Sequence, residues 1–141
     1  MQSANKLITF VSMNFTFGKP YHLCGKKKID AVFQGGVKIH GFPFLSYHLP
    51  QPKDDSTFKI LVSVPKKFIK KAHERNYIKR CMREGIRKNK ALLEELLLLK
   101  GFGLDIALVY VSRERKESNE IELKIVSHLK KIRNELQNQL D

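Results

Sequence analysis

The residues from Lys66 to Lys90, KKFIKKAHERNYIKRCMREGIRKNK, hold eleven Lys or Arg against two Glu, which is nine of the chain's thirteen net positive charges. Their spacing matters as much as their number. With Arg75 set at zero and about 100° per residue, Lys79, Lys90, Arg83, Asn76, Arg87 and Arg80 fall within roughly 40–140° on an ideal helix. Ile78, Cys81, Met82, Gly85, Leu92 and Leu96 fall on the opposite side, at about 240–340°. One face can therefore pack on a core while the other presents a ladder of cations and one amide. The chemistry open to such a ladder is the binding of regularly spaced phosphates, as on a duplex or a folded RNA. Many basic helix faces are merely solvated, but the acids that normally intersperse them are nearly missing here. Arg is frequent, and its planar fork suits bidentate phosphate contact.

Bond-making chemistry is not written in the chain. Its five histidines (His22, His40, His48, His73 and His128) are scattered, with no HExxH pair and no His-x-His. There is no glycine-rich phosphate loop ending in Lys-Ser/Thr and no Gly-x-Ser-x-Gly. Asp54 and Asp55 stand in a turn by composition and read as solvated rather than as metal ligands. Cys24 and Cys81 form no CxxC pair and are expected to be reduced, small and at least half-buried, as in a cytoplasmic protein. No apolar run reaches the length of a membrane span. The pI of about 9.9 points to a polyanionic partner, with an anionic membrane surface as the weaker alternative. The pattern is that of a binder rather than a self-contained catalyst.

A chain of 141 residues, 42% of them hydrophobic, can fold as one domain with a sizeable core. Residues 1–16 show no clear period and are expected to be a disordered extension, with Met13 as a plausible alternative start. The domain then spans 17–141. Phe17 to Cys24 reads as an extended lead-in. Lys26 to Gln34 reads as a short helix closed by Gly35-Gly36, with Ile29 and Phe33 on one face. Val37–His40 and Phe42–Leu49 read as strands. In the second, Leu45, Tyr47 and Leu49 share one face, and Phe42, Phe44, Ser46 and His48 the other. One face must meet helices; the other is available for a base to stack. Pro50–Ser56 is a turn and Phe58–Val64 a buried strand. The basic helix is expected from about Lys71 to Asn89. ALLEELLLL (91–99) either continues it or follows a kink, and part of it must be buried or dimeric; burial is favoured because no heptad is sustained long enough for a coiled coil. Gly101 and Gly103 break the helix before the apolar strand Asp105–Val111. Ser112–Ser118 is a charged loop. Glu120–Leu140 is an amphipathic helix with Ile121, Ile125, Leu129, Ile132 and Leu136 inward. The order is α-β-β-β-α-β-α, an α+β sandwich.

The run KK, AHERN, one residue, IKR, two residues, RE resembles the signature of the bacterial ribonuclease P protein subunit. Ile29-x-x-Val32-Phe33-x-x-Gly36, Phe44-x-x-Tyr47 and Val62-Ser-Val-x-Lys-Lys67 resemble it too, in order and spacing, so that the likeness covers roughly Phe17 to Leu136. The resemblance implies a ribosomal-protein-like α+β fold with a left-handed β-α-β crossover. It implies the protein partner of a catalytic RNA in a ribonucleoprotein endoribonuclease that removes the 5′ leader of precursor tRNA. In that setting the active site and Mg2+ lie chiefly on the RNA, no metal is held by the protein alone, and one protein binds each RNA. The resemblance implies neither DNA nor a membrane as a partner.

Carried over by position, Lys66, Lys67, Arg75, Asn76, Lys79, Arg80, Arg83 and Arg87 would contact the RNA subunit, while Ile29, Phe33, Leu45 and Tyr47 would line a cleft for the leader. Three departures stand out. Tyr77 occupies a position where the family motif most often has a second Arg. Ile29 replaces what is often an aromatic residue. The segment between Arg87 and Asp105 is longer than usual. The rival readings are another basic RNA- or DNA-binding module and a protein-only nuclease. The first lacks a helix-turn-helix partner for the basic helix, the second any convergent site chemistry.

Overall fold

The computed structural model describes residues 21–52 and 58–140. The expectations for residues 1–16 and for the Asp54–Asp55 turn fall outside them. The chain runs α1 (Lys26–Gly35), β1 (Val37–Gly41), β2 (Phe44–Gln51), β3 (Phe58–Ser63), α2 (Ala72–Asn89), α3 (Ala91–Lys100), β4 (Gly103–Tyr110) and α4 (Ser118–Leu140). The four strands form one sheet in the order β1-β2-β4-β3. β2 pairs antiparallel with both β1 and β4, and β3 lies parallel to β4 on the other edge. A parallel pair needs a crossover connection, and α2 with α3 supply it.

Alternation in the strands separates two faces. Phe44, Phe58, Ile60, Val62, Leu104, Ile106, Leu108 and Tyr110 point to the main core, where Ile78, Met82 and Ile86 of α2, Leu93 and Leu97 of α3, and the predicted stripe of α4 meet them. The other face carries a smaller cluster, Leu23, Val32 and Ala107, with Ile29, Tyr47, Leu49 and Leu61 packed around it. The sheet is thus covered by three helices on one side and by α1 on the other. Across the main core α2 lies close against α4 at Gly85, where a Cβ would come within 3.3 Å of the Ile125 side chain.

Three local readings are corrected. Phe42 is not a strand residue: Phe42–Pro43 is a cis bond in the β1–β2 turn, and Phe42 is exposed. Cys24 is exposed, and only Cys81 is buried. The basic helix ends at Asn89 as expected, and of the two readings open for 91–99 the kink is the one observed, so that α3 is an element of its own. Asn89 Nδ2 donates to Gly85 O at 2.8 Å, Lys90 forms the turn, and α3 ends at Gly101, whose φ of 79° is left-handed. The kink also overturns the phase predicted for Lys90. Ideal-helix angles do not carry across a turn, and Lys90 is buried rather than on the cationic face. Its Nζ lies 4.5 Å from the Tyr21 ring centroid, and Tyr21 Oη donates to Glu94 Oε2 at 2.6 Å. Desolvation lowers the Lys90 pKa, and burial with the Glu94 hydrogen bond raises that of Tyr21. In the Leu-rich α3, Leu93, Leu96 and Leu97 are buried as expected, but Leu98 and Leu99 are exposed. Among the described residues no helix is long and apolar enough to cross a membrane.

Candidate nucleic-acid interface

α2 buries Ile78, Cys81, Met82, Gly85 and Ile86 and turns its cations outward. Asn76 and Arg80 are exposed at the centre of the outer face, and Arg75, Lys79, Arg83 and Arg87 are half-buried beside it. The chain reaches this helix through a tight turn in which Pro65 O accepts from the backbone N–H of Phe68 and Ile69. Ile69 is buried and anchors the turn, so that Lys66 and Lys67 are held out on the surface just before the helix.

The eight predicted contact residues are not equivalent. Arg75 Nη1 donates to Ile69 O at 3.0 Å and to Lys70 O at 2.7 Å, tying the entry turn to the first turn of α2. Arg87 is bound to Glu84 one turn earlier, by two hydrogen bonds. Those bonds, Arg87 giving the larger effect, hold the Glu84 carboxyl below its usual range. Lys66, Lys67, Lys79, Arg80 and Arg83 have no acidic partner within ion-pair distance among the described residues. They are the cations available to an incoming polyanion.

A second surface lies between α1 and the sheet. Phe33 and Tyr47 meet at 5.0 Å between ring centroids, tilted by 60°. Lys38 Nζ sits 5.6 Å from the Tyr47 ring. Strand register explains the grouping: Lys38, Tyr47, Ala107 and Leu61 stand opposite one another across β1, β2, β4 and β3. Residues opposite one another share a face. His40, Leu45, Val109 and Ser63 form the next row. Of the four predicted cleft residues, Ile29, Phe33 and Tyr47 come together, and Leu45 lies one row along the same face outside their cluster. Lys38 was missed, because a single Lys in a short strand carries no signal until its neighbour across the sheet is known.

The ribonuclease P family model matches residues 17–133. The chain belongs to the ribonuclease P protein family. It is 34% identical over 110 residues to the ribonuclease P protein component of Porphyromonas gingivalis, covering 76% of this chain and 80% of the relative. It is 32% identical over 100 residues to that of Chlorobaculum tepidum, covering 67% and 65%. Among solved structures the fold matches the RNase P protein of Staphylococcus aureus with a TM-score of 0.65 at 21% identity, covering 81% of this chain and 96% of the other. It matches the Thermotoga maritima protein with a TM-score of 0.63 at 23% identity, covering 78% and 96%.

Within this ribonuclease P family fold, the β4–α4 loop is the part that sequence reasoning undervalued. The sequence marks Arg113, Arg115 and Lys116 only as part of a charged loop, yet Arg115 Cζ lies 4.5 Å from the Tyr77 ring centroid on α2. The RERK run was the available signal, and its destination was not. Among the described residues no three His, Cys, Asp or Glu side chains gather as metal ligands. The scattered histidines do converge in part. His128 Nε2 and Ser46 Oγ are 2.7 Å apart in the core, and His48 is close enough for its charge to act on His128. Burial, helped by the charges of Lys131 and His48, lowers the His128 pKa to about 4. Burial also lowers that of His48, against an opposing effect of Glu135. This cluster is sealed within the protein and is a packing feature.

Proposed function

We propose that this chain is the protein subunit of a ribonuclease P holoenzyme, binding the catalytic RNA through α2 and the 5′ leader of precursor tRNA through the surface between α1 and the sheet. The observation that carries the reading is one chain with two separate surfaces of different chemistry. The outer face of α2 and the turn before it offer five cations with no acidic partner among the described residues, suited to phosphates on a folded RNA. The second face offers tilted aromatic rings, half-buried aliphatics and a lysine, suited to unstacked bases and their backbone. A folded RNA repels itself, and a dense cationic helix relieves that repulsion without bond chemistry. The same relief favours retention of Mg2+ by the RNA at concentrations where the RNA alone loses it. Bond cleavage is then the work of the RNA and its metal ions, with the protein raising affinity for leader-bearing substrate.

Lys66, Lys67, Lys79, Arg80 and Arg83 are the phosphate contacts in this reading, and Asn76 contributes its amide between them. Arg75 and Arg87 shape the helix that presents them. Tyr47 and Phe33 stack on leader bases, with Ile29 and Leu45 beside them. The test is precursor-tRNA cleavage by the cognate RNA subunit at low Mg2+, with and without the protein. The expected result is correct 5′ cleavage restored by a protein that is inert alone. Tight binding to folded RNA with no restored cleavage would replace this reading with that of a general RNA-binding protein.

A further inference from the structure

Three cations of the β4–α4 loop rest on aromatic rings of three other segments. Arg113 Cζ lies 5.8 Å from the Phe68 ring, Arg115 Cζ 4.5 Å from Tyr77, and Lys116 Nζ 5.7 Å from Phe42. Arg113 Nη1 also donates to Lys67 O at 3.3 Å. The loop is thereby tied to the Lys66–Lys67 turn and to the start of α2, and it brings positive charge to the basic face from outside the helix. Tyr77 is the centre of this arrangement, because Arg80 Cζ lies 5.6 Å from the same ring. A tyrosine ring attracts each guanidinium, but two guanidinium groups on one ring repel each other unless an anion stands near.

In the free chain that anion is Glu117. Its Oε2 accepts from Arg115 Nη2 at 2.9 Å, and its Oε1 accepts from Tyr77 Oη at 3.5 Å. The Glu117 side chain is 67% exposed, so it can leave without disturbing the core. An exposed carboxylate on an exposed arginine is a weak pair. A backbone phosphate offers the same anionic oxygens to the same donors, and a strand anchored on Lys79 and Arg83 delivers it at high effective concentration. We propose that Arg115, Tyr77 and Arg80 form a binding site for one backbone phosphate of the RNA, occupied in the free protein by the Glu117 carboxylate, which the phosphate displaces. This rests on the reading of α2 as the RNA-binding helix and adds to it a contact from the far end of the chain. It also gives Tyr77 a role: the cation expected at that position is supplied by Arg115 across the ring.

The experiment measures affinity of the full chain for the cognate RNA subunit as a function of salt, for the parent and for Arg83→Ala, Arg115→Ala, Arg115→Lys, Glu117→Gln and Arg115→Ala/Glu117→Gln. Arg115→Ala should lower the slope of log affinity against log salt by about 0.7–0.9, one phosphate contact. Arg115→Lys should restore the slope, with weaker binding than the parent because the planar stack on Tyr77 is lost. Glu117→Gln should tighten binding about two- to fivefold, the worth of an exposed ion pair. That gain should shrink in the Arg115→Ala background. A silent Arg115→Ala beside an effective Arg83→Ala overturns this site and leaves the RNA-binding reading intact. Silence of both removes the RNA-binding reading itself. An undiminished Glu117→Gln gain without Arg115 overturns the displacement.

Discussion

Arg75 and Arg80 sit about 1.4 helical turns apart in the same motif, yet their surroundings give them different work. Among the described residues Arg80 has the Tyr77 ring beside it and no acidic partner, whereas Arg75 is held by two backbone carbonyls of the turn that enters α2. If each unpaired cation of this surface meets one phosphate, Lys66, Lys67, Lys79, Arg80 and Arg83 together give a salt slope of about −3.5 to −4.5. Affinity for the RNA subunit should then fall about 10²–10³-fold between about 50 and 200 mM salt. Arg80→Ala removes one contact and should lower the slope by about 0.7–0.9, with no change in urea stability, since no backbone group depends on it. Arg75→Ala should do the reverse. It deletes charge-assisted hydrogen bonds of 3.0 and 2.7 Å, one of them partly buried. The loss in stability should be about 1–2 kcal/mol, with a smaller change in slope than Arg80→Ala at temperatures where both variants are folded. The assays are equilibrium RNA binding across a salt series and urea unfolding followed by circular dichroism. An Arg75→Ala protein of parental stability whose slope drops as far as that of Arg80→Ala would refute the division of the motif into presenting and contacting residues.

Tyr47→Ala should leave RNA-subunit affinity unchanged and weaken binding of leader-bearing precursor tRNA by about 1–3 kcal/mol; equal losses for precursor and mature tRNA in the holoenzyme would argue against a leader surface beside Phe33. Tyr21→Phe removes the hydroxyl that donates to buried Glu94 and should cost about 1–3 kcal/mol in urea unfolding, with RNA affinity unaffected in the folded protein. The His128 pKa is lowered from 6.5 to about 4 by burial first, then by the charges of Lys131 and His48. The folded protein therefore refuses a proton that the unfolded chain accepts below pH 6.5, so stability is complete above that pH and is lost as pH falls towards about 4. The loss is roughly 3 kcal/mol, with His48 acting in the same direction; His128→Gln should flatten this part of the pH profile of urea midpoints, and an unchanged profile would count against the buried imidazole as its source.

Much of the fold was legible because its elements announce themselves locally. The alternation in Phe44–Leu49, the apolar run before Val111 and the stripe Ile121–Leu136 each follow from burying one face of a strand or helix. The amphipathic phase of α2 was legible for the same reason, and with it the list of outward cations. Legibility stopped where a local pattern met a tertiary constraint. Lys90 obeyed the helix phase on paper, but the turn at that residue carried it inside against Tyr21 and near Glu94. Cys24 and Phe42, apolar by type, are exposed where the chain turns.

Composition and spacing by themselves determined the sign and position of the basic surface, the alternating strands and the absence of a familiar catalytic motif, because charge and periodicity are properties of residues along the chain. Only the tertiary structure decided which of those cations are committed. Arg75 meets carbonyls, Arg87 meets Glu84, and Arg115 crosses from the β4–α4 loop to Tyr77 on α2. The physical reason is that the availability of a charge to a ligand is set by what already stands within hydrogen-bonding distance of it. For the outer face of α2 those neighbours come partly from a loop almost forty residues further on, brought there by the packing of α4 across Gly85.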